Sequence, residues 1–131
     1  MTSTRAAKTF RDAVEGRDLD RMVAQLAPDA VLHSPVTFKP FEGRDAIAVL
    51  LSTLLEVFED FTYTGEMDGD GVASLLFRAR IGDRKIEGID IIRAGQDGLI
   101  DDFTVMVRPM SGVQALAEAV GARLLKPTSD T

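Results

Sequence analysis

Cysteine is absent from the 131 residues and histidine occurs once, as His33. The first absence excludes disulfide scaffolds, thiolate metal sites and thiol nucleophiles. The second leaves a zinc site leaning on carboxylates, an unusual ligand set, so no metal is expected. Positive charge is also short: fifteen Lys and Arg stand against twenty-one Asp and Glu, a net charge of -6. Without a basic surplus the chain is a poor match for a phosphate backbone, and nucleic acid is not an expected partner. No apolar run approaches the roughly 18 residues of a membrane span, so no membrane partner is expected either. The first residues, MTSTRAAKTFRDAVEGRD, carry charges where a signal peptide needs its apolar stretch, and a cytoplasmic location follows as the expectation. What is present, 45% hydrophobic and 27% charged residues, suits one domain that buries roughly two-thirds of its unfolded surface.

The first half of the chain reads as helices and the second half as strands. Ala7, Phe10 and Val14 make one apolar face of a first helix that Gly16 ends. Asp18 is placed to cap a second, short helix with Leu19, Met22, Val23 and Leu26 inward, stopped by Pro28. Ile47, Leu50, Leu51, Leu54, Leu55 and Phe58 form the wide stripe of a third helix, which something must cover. Between them AVLHSPVTFKPFEG reads as a short strand running into a loop, kept out of any central ladder by Pro35 and Pro40. Turn signals at MDGDG, GDRK and GQDG then separate four strands near 61–67, 72–81, 85–94 and 99–108, an antiparallel meander. Ser111 with Gln114 resembles a capping box for a last helix, whose inner face reads Val113, Leu116, Ala117 and Val120. The expected architecture is α+β, one domain over 6–124, followed by a frayed polar tail at 125–131.

Turn chemistry predicts register. A two-residue turn at Asp83 and Arg84 sets Ala79 against Gly88, Phe77 against Asp90 and Leu75 against Ile92, with Arg80 opposite Glu87 on the other face. A two- or four-residue loop in the next hairpin brings Phe103, Val105 and Val107 to the face of Asp90, whereas a three-residue loop turns them away. One face therefore reads Leu75, Phe77, Ala79, Ile81, Ile86, Gly88, Ile92, Phe103, Val105 and Val107, with Asp90 in its middle. An unpaired carboxylate there resists ionising, because low dielectric penalises the charged form. The opposite face mixes Leu76, Ile89, Ile91 and Met106 with Arg78, Arg80, Glu87, Arg93 and Arg108. It is too apolar for open water and too charged for a core, the composition of a homodimer interface.

Helices first, then HSPVTFKPFEGRDAI, then a meander ending IEGIDIIRAGQDGLIDDFTVMVRP, resembles the nuclear transport factor 2-like superfamily in its SnoaL-like polyketide cyclase and ketosteroid isomerase-like branch. The resemblance runs from about Ala6 to Leu124 and implies a cystatin-like cone, a curved antiparallel sheet wrapped round a long helix with a pocket at its open end. In ketosteroid isomerases a protonated aspartic acid on the third long strand donates to the substrate oxyanion; by IEGIDIIR that residue falls on Asp90. The isomerase tyrosine falls on Phe10 and the general base on Ser34, with His33 beside it. Two of three catalytic positions are changed, so steroid isomerisation by that mechanism does not carry over.

The candidate catalytic residues are Asp90, with His33 and Ser34 assisting at the rim. Phe10, Leu75, Phe77, Ile92, Phe103, Val105 and Val107 are the candidate ligand wall. Each has a plainer reading. Asp90 is otherwise a carboxylate paired with an arginine or a backbone amide. His33, by alternation from Leu32, is otherwise turned away from the pocket, and Ser34 is a turn residue before Pro35. Tyr63 is a candidate replacement for the lost phenol, with nothing to fix its direction. The remaining aromatics, Phe38, Phe41, Phe58 and Phe61, are candidates to line an apolar site as well, with core the plainer reading for each. The reading is a small apolar ligand or substrate, handled by an isomerase, cyclase or hydrolase through general acid–base catalysis, with no cofactor. The alternative is a non-catalytic binding or dimerisation module of the same fold.

Overall fold

A computed structural model describes residues 2–124; the expected tail at 125–131 lies outside them. Helix α1 (Thr2–Glu15) and α2 (Leu19–Ala24) lead into β1 (Leu26–His33) and the two-residue β2 (Phe41–Glu42). Helix α3 (Arg44–Val57) follows, then the meander β3 (Glu59–Gly69), β4 (Val72–Ile81), β5 (Arg84–Ala94) and β6 (Ile100–Arg108), and finally α4 (Met110–Leu124). The six strands form one sheet in the order β2-β1-β6-β5-β4-β3. Every neighbouring pair is antiparallel except β1 and β6, which run parallel because α3 and the meander intervene. The α+β cone expected from the sequence is what the chain forms. No described helix is long and apolar enough to cross a membrane.

Three local expectations are corrected. Asp18 does cap α2, accepting from the Arg21 N–H at 3.1 Å, but the helix ends at Ala24. Leu26 already belongs to β1, and Pro28 sits inside that strand. It is tolerated because the β1–β6 register breaks between Leu26 and Val31, so no ladder bond is asked of its missing N–H. Helix α4 starts one residue before Ser111, with Pro109 O accepting from Gly112 and Val113 N–H. Its inward side is Gly112, Ala115, Leu116, Ala119 and Val120, a rotation that drops Val113 and Ala117 from the expected face.

The β4–β5 turn falls on Gly82 and Asp83, so Ile81 faces Arg84, Phe77 faces Gly88 and Leu75 faces Asp90. The shift from the expected pairing is two residues. Gly82 takes the positive φ of 61° that a hairpin turn of this length favours at its first central position. An even shift leaves every side chain on its expected face, but it redirects the ion pairs. Arg80 bonds Glu59 and Asp60, at 2.9 and 2.7 Å, while Glu87 is taken by Arg108 at 2.7 Å. In the next hairpin the loop holds five residues, and a bulge at Asp101 restores the parity. Asp90 therefore faces Val105, with Phe103 and Val107 on the same side.

The inner face is covered by α1, α3 and α4. Phe10, Leu26, Leu32, Ile47, Leu75, Ile86, Ile92, Ile100 and Phe103 form the most deeply buried layer. The stripe on α3 is divided. Ile47, Leu50, Leu51 and Val57 are buried, whereas Leu54, Leu55 and the C-cap residue Phe58 are only partly covered. That division leaves a hollow.

Candidate functional site

The hollow is a cavity of about 190 Å³ between α1, α3 and the inner sheet face. Helix α3 supplies Leu51, Leu54 and Leu55, α1 supplies Phe10 and Val14, and the sheet supplies Leu32, Phe77, Phe103 and Val105. One wall is aromatic. Phe61 stacks on Phe77 with centroids 4.9 Å apart, and Phe58 lies 5.6 Å from Phe61 and 6.0 Å from Phe77. On the α1 side Phe10 meets Phe103 edge-on at 5.1 Å. Phe77 has room because its partner on β5 is Gly88. A Cβ there would run into the Phe77 ring and come within 2.7 Å of the Met106 carbonyl.

Asp90 is set into this wall, 6% exposed. Its Oδ2 accepts a hydrogen bond from the Tyr63 hydroxyl at 3.3 Å. Burial among apolar side chains raises the carboxyl from the ordinary 3.8 to about 7, and the tyrosine hydrogen bond pulls the other way. The Tyr63 hydroxyl is itself raised well above its ordinary 10, first by burial and then by the neighbouring Asp90. The carboxyl thus exchanges its proton near neutrality while the phenol keeps its own. Among the described residues neither an arginine nor a backbone amide holds Asp90; its one side-chain partner is the neutral Tyr63 hydroxyl.

Tyr63 reaches Asp90 because of a bulge. Counting back from the Asp70–Gly71 turn, Gly69 pairs with Val72 and Gly65 with Leu76, a register that would send Tyr63 outward. The register shifts between Gly65 and Tyr63, leaving Thr64 as the extra residue, and Tyr63 lands opposite inward-facing Phe77. Above the pair, the Arg11 guanidinium lies 5.4 Å from the Tyr63 ring centroid. It bonds Glu15 at 3.3 Å and Glu66 at 2.9 Å. Glu15 and Arg17 edge the cavity, and Arg17, at a φ of 53°, donates to the Leu55 carbonyl at 2.7 Å.

Of the residues singled out from the sequence, Asp90, Phe10, Phe77, Phe103 and Val105 meet in this cavity. Leu75 and Ile92 do not: both are packed beneath it as core. His33 and Ser34 are placed elsewhere. His33 pairs with Thr104, on the opposite side from Leu32 and Phe103, and its Nε2 lies 3.4 Å from Asp102 Oδ2. The Ser34 hydroxyl accepts from the Val36 and Thr37 N–H groups, both at 3.2 Å, and so closes a turn. Both residues, with Val107, border a second and more open hollow of about 430 Å³ beside the 34–38 loop, where Phe38 is wholly exposed rather than core. The sequence leaves the direction of Tyr63 open, and the lower turn of α3 was missed as cavity wall. The second carried a signal, since six apolar positions are more stripe than one helix needs to bury.

The SnoaL-like domain family matches residues 7–103 of the chain. A steroid delta-isomerase from Pseudomonas aeruginosa is 42% identical and superposes with a TM-score of 0.89, covering 95% of this chain and 93% of its own. An uncharacterized bacterial protein with a cystatin-like fold from Silicibacter pomeroyi DSS-3 is 31% identical at a TM-score of 0.88, over 94% of this chain and 87% of its own. An NTF2-like protein of unknown function from Burkholderia pseudomallei K96243 shares the fold at 13% identity and a TM-score of 0.70, covering 92% and 98%. No curated protein matches the chain significantly.

Proposed function

The chain belongs to the SnoaL-like domain family, and from that premise we propose that it is an isomerase, cyclase or hydrolase of a small, largely apolar carbonyl, polyketide-like or epoxide compound. Asp90 moves or holds the proton, and Phe10, Phe77, Phe103 and Val105 hold the substrate with the α3 leucines. One observation carries the reading: a buried carboxyl, bonded among the described side chains only to a neutral phenol, set in the wall of an aromatic cavity with a pKa of about 7. A general acid–base group works best when its pKa lies near the working pH. The steroid delta-isomerase from Pseudomonas aeruginosa places steroids among the compounds to try, although Phe10 offers no hydroxyl and Ser34 no carboxylate for such a reaction.

The test is turnover of a panel of steroid, polyketide and epoxide substrates by the wild type and by Asp90→Asn. The reading expects a substrate whose conversion falls by about 10²-fold or more in the variant, the usual contribution of a positioned acid or base. Equal turnover by both proteins would exclude it.

A second reading, a ligand-binding module without chemistry, is favoured by the Ser34 hydroxyl, which is engaged in its own turn. It expects ligand affinity that survives Asp90→Asn and no conversion of any compound. In either reading the outer sheet face, with Leu76, Ile89 and Ile91 half-buried and Met106 55% exposed, supports assembly as a homodimer.

A further inference from the structure

We propose that Tyr63 is the positioning residue of this site: by donating to Oδ2 of Asp90 it reserves Oδ1 as the oxygen that shares or exchanges a proton with the occupant of the cavity. The inference rests on the acid–base reading of Asp90 and adds what aims it.

The geometry assigns the two oxygens different work. Oδ2 accepts from Tyr63 at 3.3 Å. Among the described residues no buried side-chain oxygen or nitrogen lacks a hydrogen-bond partner, and none donates to Oδ1. Oδ1 is therefore the oxygen presented to the cavity, whose wall includes Asp90. In a neutral carboxyl the carbonyl oxygen is the better acceptor, so a donor fixed on Oδ2 places the proton on Oδ1. The phenol, raised well above its ordinary range, keeps its proton throughout the range in which Asp90 ionises and so remains available as the donor. A neutral Asp90 thus offers one O–H to a carbonyl, ether or epoxide oxygen; an ionised one offers a single acceptor to a hydroxyl or an acidic C–H.

Tyr63 is built to hold still. The Thr64 bulge turns it inward, Phe61 packs edge-on at 5.0 Å, and Arg11 lies over the ring. The charged groups facing the pair are Arg11 and Glu15 from α1, Arg17 from the following turn, and Glu66 from β3 through Arg11. The described cavity-lining residues of α2, α3, β1, β4 and β6 bring none, and β5 brings only Asp90 itself.

Tyr63 is the single tyrosine of a chain with no tryptophan, so absorbance on the long-wavelength side of the phenylalanine bands reads it alone. In the wild type its band should step with a midpoint near pH 7 as Asp90 ionises, and the step should vanish in Asp90→Asn. A trace flat between about pH 5 and 9 overturns the inference. Tyr63→Phe keeps the ring and removes the donor. The Asp90 carboxyl, followed by carbon-13 NMR and assigned by its loss in Asp90→Asn, should then titrate about one pH unit higher. A midpoint unmoved or lowered overturns the inference; should the variant not fold, the wild-type absorbance trace decides alone. Equal substrate turnover by Asp90→Asn and wild type would instead defeat the acid–base reading, even with the tyrosine step intact.

Discussion

Replacing Asp90 by asparagine should make the protein more stable, and only above a certain pH. In the folded chain the carboxyl ionises at about 7, against 3.8 for the same group in its ordinary state. Below the lower value both states are protonated and the group contributes no pH-dependent penalty. As pH rises from 3.8 the unfolded chain gives up its proton while the folded chain holds it, so stability falls. The loss is complete once the folded group also ionises, near pH 7. The gap corresponds to about 4 kcal/mol at about 1.4 kcal/mol per pH unit, a large share of the 5–15 kcal/mol typical of a small domain. Asparagine is nearly the same shape and its carbonyl can still accept from Tyr63, so the variant should shed the penalty and keep the hydrogen bond. Urea unfolding of both proteins, followed by circular dichroism from about pH 4 to 8, measures the difference and cancels every other titrating group. The expectation is near-equal stability at the acid end and a variant ahead by up to about 4 kcal/mol at the alkaline end. A difference independent of pH, or a variant less stable at pH 8, would refute the account and mean that the carboxylate is held by a partner.

Gly88→Ala should cost about 1–3 kcal/mol, because the added Cβ meets the Phe77 ring and the Met106 carbonyl together; urea midpoints check it, and an unchanged midpoint would show that β6 yields freely. Light scattering should find the wild type at twice the chain mass and Met106→Glu at the mass of one chain, since the variant puts a charge into the proposed interface. A monomeric wild type removes the dimer.

The faces of the meander were legible because parity survives even errors. The β4–β5 turn was misplaced, yet the two-residue slip kept Asp90 among Leu75, Phe77, Phe103 and Val105, where alternation had put it. What alternation could not carry was any stretch containing a bulge. The odd loop before β6 was rescued by an extra residue at Asp101, an accident of compensation that no turn motif announces. Tyr63 was unreadable for the same reason, lying beyond the bulge at Thr64. His33 and Ser34 were brought forward by likeness to a catalytic strand end rather than by their own chemistry. The serine hydroxyl satisfies two backbone amides of its own loop, while strand alternation turns the histidine to the outer face, where it reaches Asp102 on β6. Where a polar side chain finds neighbours in its own turn, it is withdrawn from the cavity whatever its place in the chain.

The supernumerary Thr64 makes the chemistry of this fold a matter of counting. Threading that one amino acid into the ladder, rather than setting it aside, would leave the hairpin tip and the sheet order intact, yet swing the phenol to solvent and put threonine opposite Phe77 at its post. Relatives could lose or acquire the phenol–carboxyl couple according to whether a single residue is bulged or laddered, with the order of strands unchanged. Kinship judged by shape alone would then group proteins that differ at the one spot that matters.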